Sequence, residues 1–151
     1  MSKLSDTAAE KFLAGCNCAQ AVILPFYDQI GMDEQTARDV ACGFGGGMAG
    51  RQEICGAVSG GVMVIGMMLG KDADPDRVLV RETYTKSDEF IARFEAVHNT
   101  ANCLQLLDGH VFSTEEGRAA IKELDLRNKV CLQCVKTSVE ILEDMTKELS
   151  E

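Results

Sequence analysis

Apolar residues along this chain recur mainly at three- and four-residue spacing. Strict alternation of apolar and polar positions is nearly absent, so the pattern predicts helices and almost no strand. Ser5 is placed to cap a first helix that carries Ala8, Ala9, Phe12 and Leu13 and runs to Gly15. Asn17 caps a second over residues 18–31, with Pro25 as a kink, and Asp33 opens a third over residues 34–44. Residues 43–50 hold five glycines in eight positions, a composition that suits neither helix nor strand and reads as an irregular loop. An uncharged segment, residues 54–70, follows as a central helix. Asp74 and Pro75 then start a long element that runs with some interruption to Leu107 and Gly109. Ser113, Thr114, Glu115 and Glu116 form a capping box for a short helix ending near Leu124. Asn128 caps the last helix, whose apolar stripe is Val135, Leu142, Met145 and Leu149. The expectation is one all-α domain over residues 1–151: a bundle of about six helices around a buried, glycine-rich central helix. Gly56 with Gly60, and Ala57 with Gly61, repeat at four-residue spacing, so neighbouring helix backbones can approach that helix closely.

Composition supports a packed core of unusual make-up. The chain has 151 residues, 46% of them hydrophobic, but no Trp and only 5% aromatics, so Leu, Ile, Val, Met, Ala and Cys must fill the interior. A net charge of −9 repels phosphate backbones and anionic lipid, which argues against a nucleic-acid partner. The uncharged central segment is short for a membrane span, contains five glycines and is flanked tightly by Arg51, Glu53, Lys71 and Asp72; no span is expected. The first residues lack a signal-peptide apolar run, so the expected location is the cytoplasm, a reducing compartment. The glycine loop lacks the Lys-Ser/Thr of a P-loop, and nucleotide binding has no support.

Seven cysteines change the picture most. An odd number in a chain long enough to fold without staples points to metal, redox chemistry or packing rather than a disulfide framework. Cys18, Cys55 and Cys131 fall at or just before predicted helix N-termini, where unpaired N–H groups and the dipole favour a thiolate. Arg51, four residues before Cys55, adds to that stabilisation, and Glu53 is a candidate proton acceptor. On the predicted long helix Phe90, Phe94, Val97, Ala101 and Leu104 form one face, with Cys103 opposite beside Ala92, Ala96 and Leu107. Cys131 and Cys134 point inward with Val135, Ser138 and Leu142. They form a C-x-x-C, but without the β-α-β setting of a thioredoxin. Cys16 and Cys18 with Cys131 and Cys134 supply four zinc ligands, whereas an iron–sulfur cluster accepts thiolates from dispersed helices. His98 reads as a satisfied histidine rather than a ligand and His110 as a loop residue. The competing reading is that the cysteines are small core hydrophobes in a non-catalytic binding or structural module, or ligands of a structural zinc.

Three stretches carry a family resemblance: N-C-A-Q-A-V at residues 17–22, G-F-G-G-G at residues 43–47 and E-I-C-G-A-V-S-G-G at residues 53–61. Together with M-V-I-G at residues 63–66, Cys103 before L-L-D-G at residues 106–109, and Cys131 before Val135, they resemble the C_GCAxxG_C_C family of small redox-active proteins. The resemblance covers nearly the whole chain. It implies a four-cysteine site at Cys18, Cys55, Cys103 and Cys131, with Cys16, Cys42 and Cys134 as extras and Cys134 a substitute ligand for Cys131. It implies electron or thiol–disulfide transfer with a redox partner protein, or an iron–sulfur cluster or zinc held by those cysteines. A related cysteine domain occurs in split-Soret cytochromes, although this chain has no C-x-x-C-H for haem. Backbone N–H groups around Gly45, Gly46, Gly47 and Gly56 would approach the sulfurs and tune them. The apolar central helix also suggests a homodimer interface.

Overall fold

The computed structural model describes residues 2–150, and among them the chain is all-helical. Eight α-helices occur, rather than the six expected: α1 Lys3–Leu13, α2 Cys18–Ile23, α3 Glu34–Ala41, α4 Gly56–Gly70, α5 Val80–His98, α6 Cys103–Leu106, α7 Glu115–Glu123 and α8 Leu132–Ser150. Short 3-10 turns follow α2 (Leu24–Phe26) and α3 (Cys42–Phe44), and a π-turn, Arg127–Cys131, leads into α8.

One of the added helices comes from a break. The long element predicted from Pro75 to Gly109 starts late and is cut in two. Asp74 accepts the Asp76 N–H at 3.0 Å, closing a local turn, and the exposed residues 74–78 offer no apolar stripe for a helix to bury. Helix α5 therefore begins at Val80, and Asn99, at φ +72°, ends it in the left-handed conformation. The chain turns, and Asn102 restarts it as α6 by accepting the Gln105 N–H at 2.9 Å. Val97, placed on a buried face by the single-helix reading, is 59% exposed.

Other caps moved by a few residues. Ser2, not Ser5, caps α1, and Ser5 is buried inside it. Thr114 caps α7 by accepting the Gly117 N–H, which removes the reciprocal Glu116 contact that a capping box needs. Asn128 caps nothing. It lies in the π-turn and donates to Asp125. Asn17 and Asp33 do cap α2 and α3, as their positions predict, and Asn17 with Gln20 forms a reciprocal capping box.

Helix α4 packs against α2, α5 and α8, and its small residues set those distances. A Cβ on Gly60 would lie 2.7 Å from the Ala19 carbonyl oxygen of α2, and one on Gly61 would overlap the Phe90 ring of α5. On the third side Ser138 of α8 donates to the Ala57 carbonyl at 2.8 Å. The first half of α4 is buried, whereas Met67 near its end is exposed. The rest of the core includes Phe12, Ile23, Leu24, Phe26, Phe94, Val135, Val139, Leu142 and Met145. Among the described residues no helix is long and apolar enough to cross a membrane.

Candidate thiol site

Four separate stretches of chain each deliver cysteine to the same place. Cys18 is the first residue of α2, fixed by the Asn17 cap, whose Nδ2 also donates to the Cys42 carbonyl at 2.8 Å and ties α2 to the end of α3. Cys55 is the residue from which α4 springs. Cys103 is the first residue of α6. It is held beside Cys55 by a short antiparallel bridge in which Cys55 N–H donates to the Ala101 carbonyl (2.8 Å) and Cys103 N–H to the Glu53 carbonyl (2.6 Å). Cys131 closes the π-turn, and Cys134 follows one helical turn later on the same face of α8. A π-turn inserts an extra residue into the helical ladder and re-aims the side chains beside it.

Cys18, Cys55, Cys103, Cys131 and Cys134 line one cavity of about 150 Å³, together with Phe12, Leu106, Leu107, Phe112, Ile121, Val130 and Arg127. Its floor is the glycine loop. Gly47 has φ +72°, and a Cβ there would lie 2.6 Å from the Glu53 nitrogen and 2.8 Å from Cβ of Cys103, so only glycine lets the loop backbone pass this close. Gly46 lines the cavity beside it, and a Cβ on Gly56 would come within 3.1 Å of Cβ of Cys18. Gly45 stands back from the cavity and makes room for the Asn17 side chain. Gln52 pins the far rim: its Nε2 donates to the His110 carbonyl and its Oε1 accepts the Phe112 N–H, each at 2.9 Å.

The sulfurs form two hydrogen-bonded pairs. The Cys134 thiol donates to Cys55, which lowers the Cys55 pKa. The Ala57 and Val58 N–H groups at the start of α4 add to the effect, against the cost of burial. Cys134, the donor, is raised correspondingly. The Cys18 thiol donates to Cys131 and is raised well above its ordinary value. Cys131 is lowered, first by that bond and further by the Arg127 guanidinium. Arg127 is fixed by stacking 4.1 Å over the Phe12 ring and donating to the Phe12 carbonyl at 3.1 Å. Burial pushes the Cys103 thiol up to about 12, so it stays protonated. All seven cysteines are free thiols.

The chain matches the model of the family described as "Putative redox-active protein (C_GCAxxG_C_C)" over residues 16–145. It belongs to the C_GCAxxG_C_C family. No curated protein and no solved structure shows significant similarity to it.

Within this C_GCAxxG_C_C chain, Cys18, Cys55, Cys103, Cys131 and Cys134 share the cavity, while Cys16 and the exposed Cys42 lie outside it. Cys103 belongs with Cys18 and Cys55 at a helix start, which the single-helix reading of residues 75–109 concealed. One participant, Arg127, was missed, and Cys134 takes a different part from the substitute ligand expected of it. The cation acting at the cavity is Arg127, not the exposed Arg51, because tertiary packing brings the start of the π-turn against α1. Cys134 is the hydrogen-bond partner of Cys55, and its inward face on the last helix was the signal for it. Glu53 acts through its backbone, and its side chain is exposed. His98 is half-buried, packs on Phe94 and bonds Thr137 at 2.9 Å, so its ring is satisfied as expected. Thiol donors in an apolar shell suit a soft metal by their chemistry. Among the described residues no group of three or more His, Cys, Asp or Glu side chains is placed to hold a metal ion.

Proposed function

We propose that this protein transfers electrons by thiol–disulfide exchange with a redox partner, through Cys18, Cys55, Cys103 and Cys131, in a reducing compartment. The observation that carries the reading is the pairing of a thiolate-favouring cysteine with a protonated one at a shared apolar cavity. Cys131 is the attacking sulfur: it is half-buried rather than enclosed, and both Cys18 and Arg127 favour its thiolate. It attacks one sulfur of a partner disulfide, forming a mixed disulfide and releasing one partner thiolate. The Cys18 thiol gives up its proton and attacks Cys131, closing Cys18–Cys131 and releasing the second partner sulfur, which takes that proton. The partner is reduced by two electrons and the cysteine pair oxidised by two. Cys55 and Cys103 complete the wall behind this pair, tied to each other by the backbone bridge.

An iron–sulfur centre is the second reading, favoured by thiols from dispersed segments around an apolar cavity. Cys18, Cys55, Cys103 and Cys131 would be its ligands, and the group would supply one-electron transfer. Anaerobic purification followed at once by a visible spectrum and iron, zinc and acid-labile sulfide analysis separates the two. Colourless, metal-free protein whose thiols close reversibly supports dithiol exchange. Brown protein with iron and sulfide overturns it in favour of the cluster, and colourless, metal-free protein whose thiols are inert to added disulfide overturns both.

A further inference from the structure

The two hydrogen-bonded pairs differ in their access to solvent. Cys18 and Cys131 are half-buried, whereas Cys55 is 6% exposed and Cys134 is fully enclosed. The pairs are not independent, because Cys131 and Cys134 sit one turn apart on the same helix face and all four sulfurs border the same cavity. Cys55 therefore has two neighbouring thiols at the cavity, Cys103 and Cys134, and Cys134 is the one that shares a helix face with Cys131.

We propose that Cys134 and Cys55 form a second, inner dithiol that receives its oxidising equivalents from the outer Cys18–Cys131 pair, so that one chain stores four electrons rather than two. The proposal rests on the thiol–disulfide reading. Once the outer disulfide has formed, the Cys55 thiolate attacks Cys131, the Cys18–Cys131 bond breaks, and Cys18 leaves as a thiolate. The Cys134 thiol passes its proton to Cys18 and attacks Cys55; the Cys55–Cys131 bond breaks and Cys131 leaves as a thiolate. The outer pair is now reduced, the inner pair is oxidised, and the charge on the site is unchanged. A second partner disulfide can then oxidise the outer pair again. In this scheme Cys103 remains a thiol in the cavity wall throughout. The inner pair is too enclosed for a protein disulfide to reach, which is why the outer pair must act as its intermediary.

The test uses reduced, full-length protein under anaerobic conditions with 2-hydroxyethyl disulfide as oxidant, acid quenching, alkylation and peptide mapping over time. With one equivalent, Cys18–Cys131 appears first and is replaced by Cys55–Cys134; with excess oxidant both are present. Cys134→Ala halves the electron uptake and retains Cys18–Cys131. In Cys131→Ala, closure of the inner pair is at least about tenfold slower. The relay is overturned if Cys55 pairs with Cys103, if Cys134→Ala takes up as many electrons as the wild type, or if the inner pair closes at the wild-type rate without Cys131. The wild-type time course needs no variant, so it decides the matter even if Cys134→Ala fails to fold. Closure of Cys18–Cys131 alone sinks the relay and leaves the exchange reading standing, whereas failure of both pairs to close removes the exchange reading itself.

Discussion

At the scale of single residues, a thiol becomes reactive through what faces its sulfur. Cys131 gains its thiolate from one donated hydrogen bond and one fixed cation, and the two contributions can be separated. Replacing Arg127 by Gln removes the charge and should move the pH profile of Cys131 alkylation upward, lowering its rate at pH 7. Arg127→Lys keeps the charge and should restore part of the shift, although it loses the stacking geometry over Phe12. Iodoacetamide labelling followed by mass spectrometry reads both, and identical profiles for Arg127→Gln and wild type would dismiss the cation. Gly47 is the second residue whose identity matters. Gly47→Ala forces a Cβ against the Glu53 backbone and Cys103 at a positive φ, and should cost about 1–3 kcal/mol in urea unfolding under reducing conditions.

At the scale of elements, the caps at residues 17 and 102 decide where two of the cysteines stand. Asn102→Ala removes the side chain that caps α6 and should lower stability by about 1 kcal/mol, while loosening the bridge that seats Cys103 beside Cys55. Asn128→Ala is the matched control. Its side chain reaches only Asp125 on an exposed turn, so its urea midpoint should stay within about 0.5 kcal/mol of wild type. If Asn128→Ala were the more damaging of the two, the π-turn account of the approach to α8 would be wrong. The close seating of α4 against α2 and α5 follows the same logic, since Gly60 and Gly61 each leave no room for a side chain.

At the scale of the whole molecule, thiols with shifted pKa values couple folding to pH. Cys55 and Cys131 are lowered in the folded state, so their contribution is present above the unfolded thiol value of about 8.5 and is lost as pH falls through their folded values. Cys18, Cys103 and Cys134 are raised, so theirs is complete below about 8.5 and is lost as pH rises, for Cys103 up to about 12. The thiol contribution to stability should therefore peak near pH 8.5 and decline on the alkaline side. Urea midpoints of the reduced protein between pH 7 and 11 would record the decline. In Cys103→Ala the decline should be shallower, and an unchanged slope there would contradict the placement of Cys103 in an apolar wall.

What the sequence determined by itself was whatever depends on contacts within a few residues along the chain. The 3.6-residue periodicity, the Asn17 and Asp33 caps and the glycine loop all rest on hydrogen bonds and φ preferences that a short window contains. The spacing of the motif cysteines was legible for the same reason. The break at Asn99 was harder to see, because apolar spacing continues across it while a single positive φ interrupts the helix. Only the tertiary structure decided which thiol meets which. Cys18 finds Cys131 across the packing of α2 on α8, Cys55 finds Cys134 across that of α4 on α8, and Arg127 reaches the cavity because its guanidinium stacks on Phe12, which lies far from it in sequence. Those meetings depend on how helices with buried apolar faces fit one another, and that is a property of the assembled core rather than of any one segment of the chain.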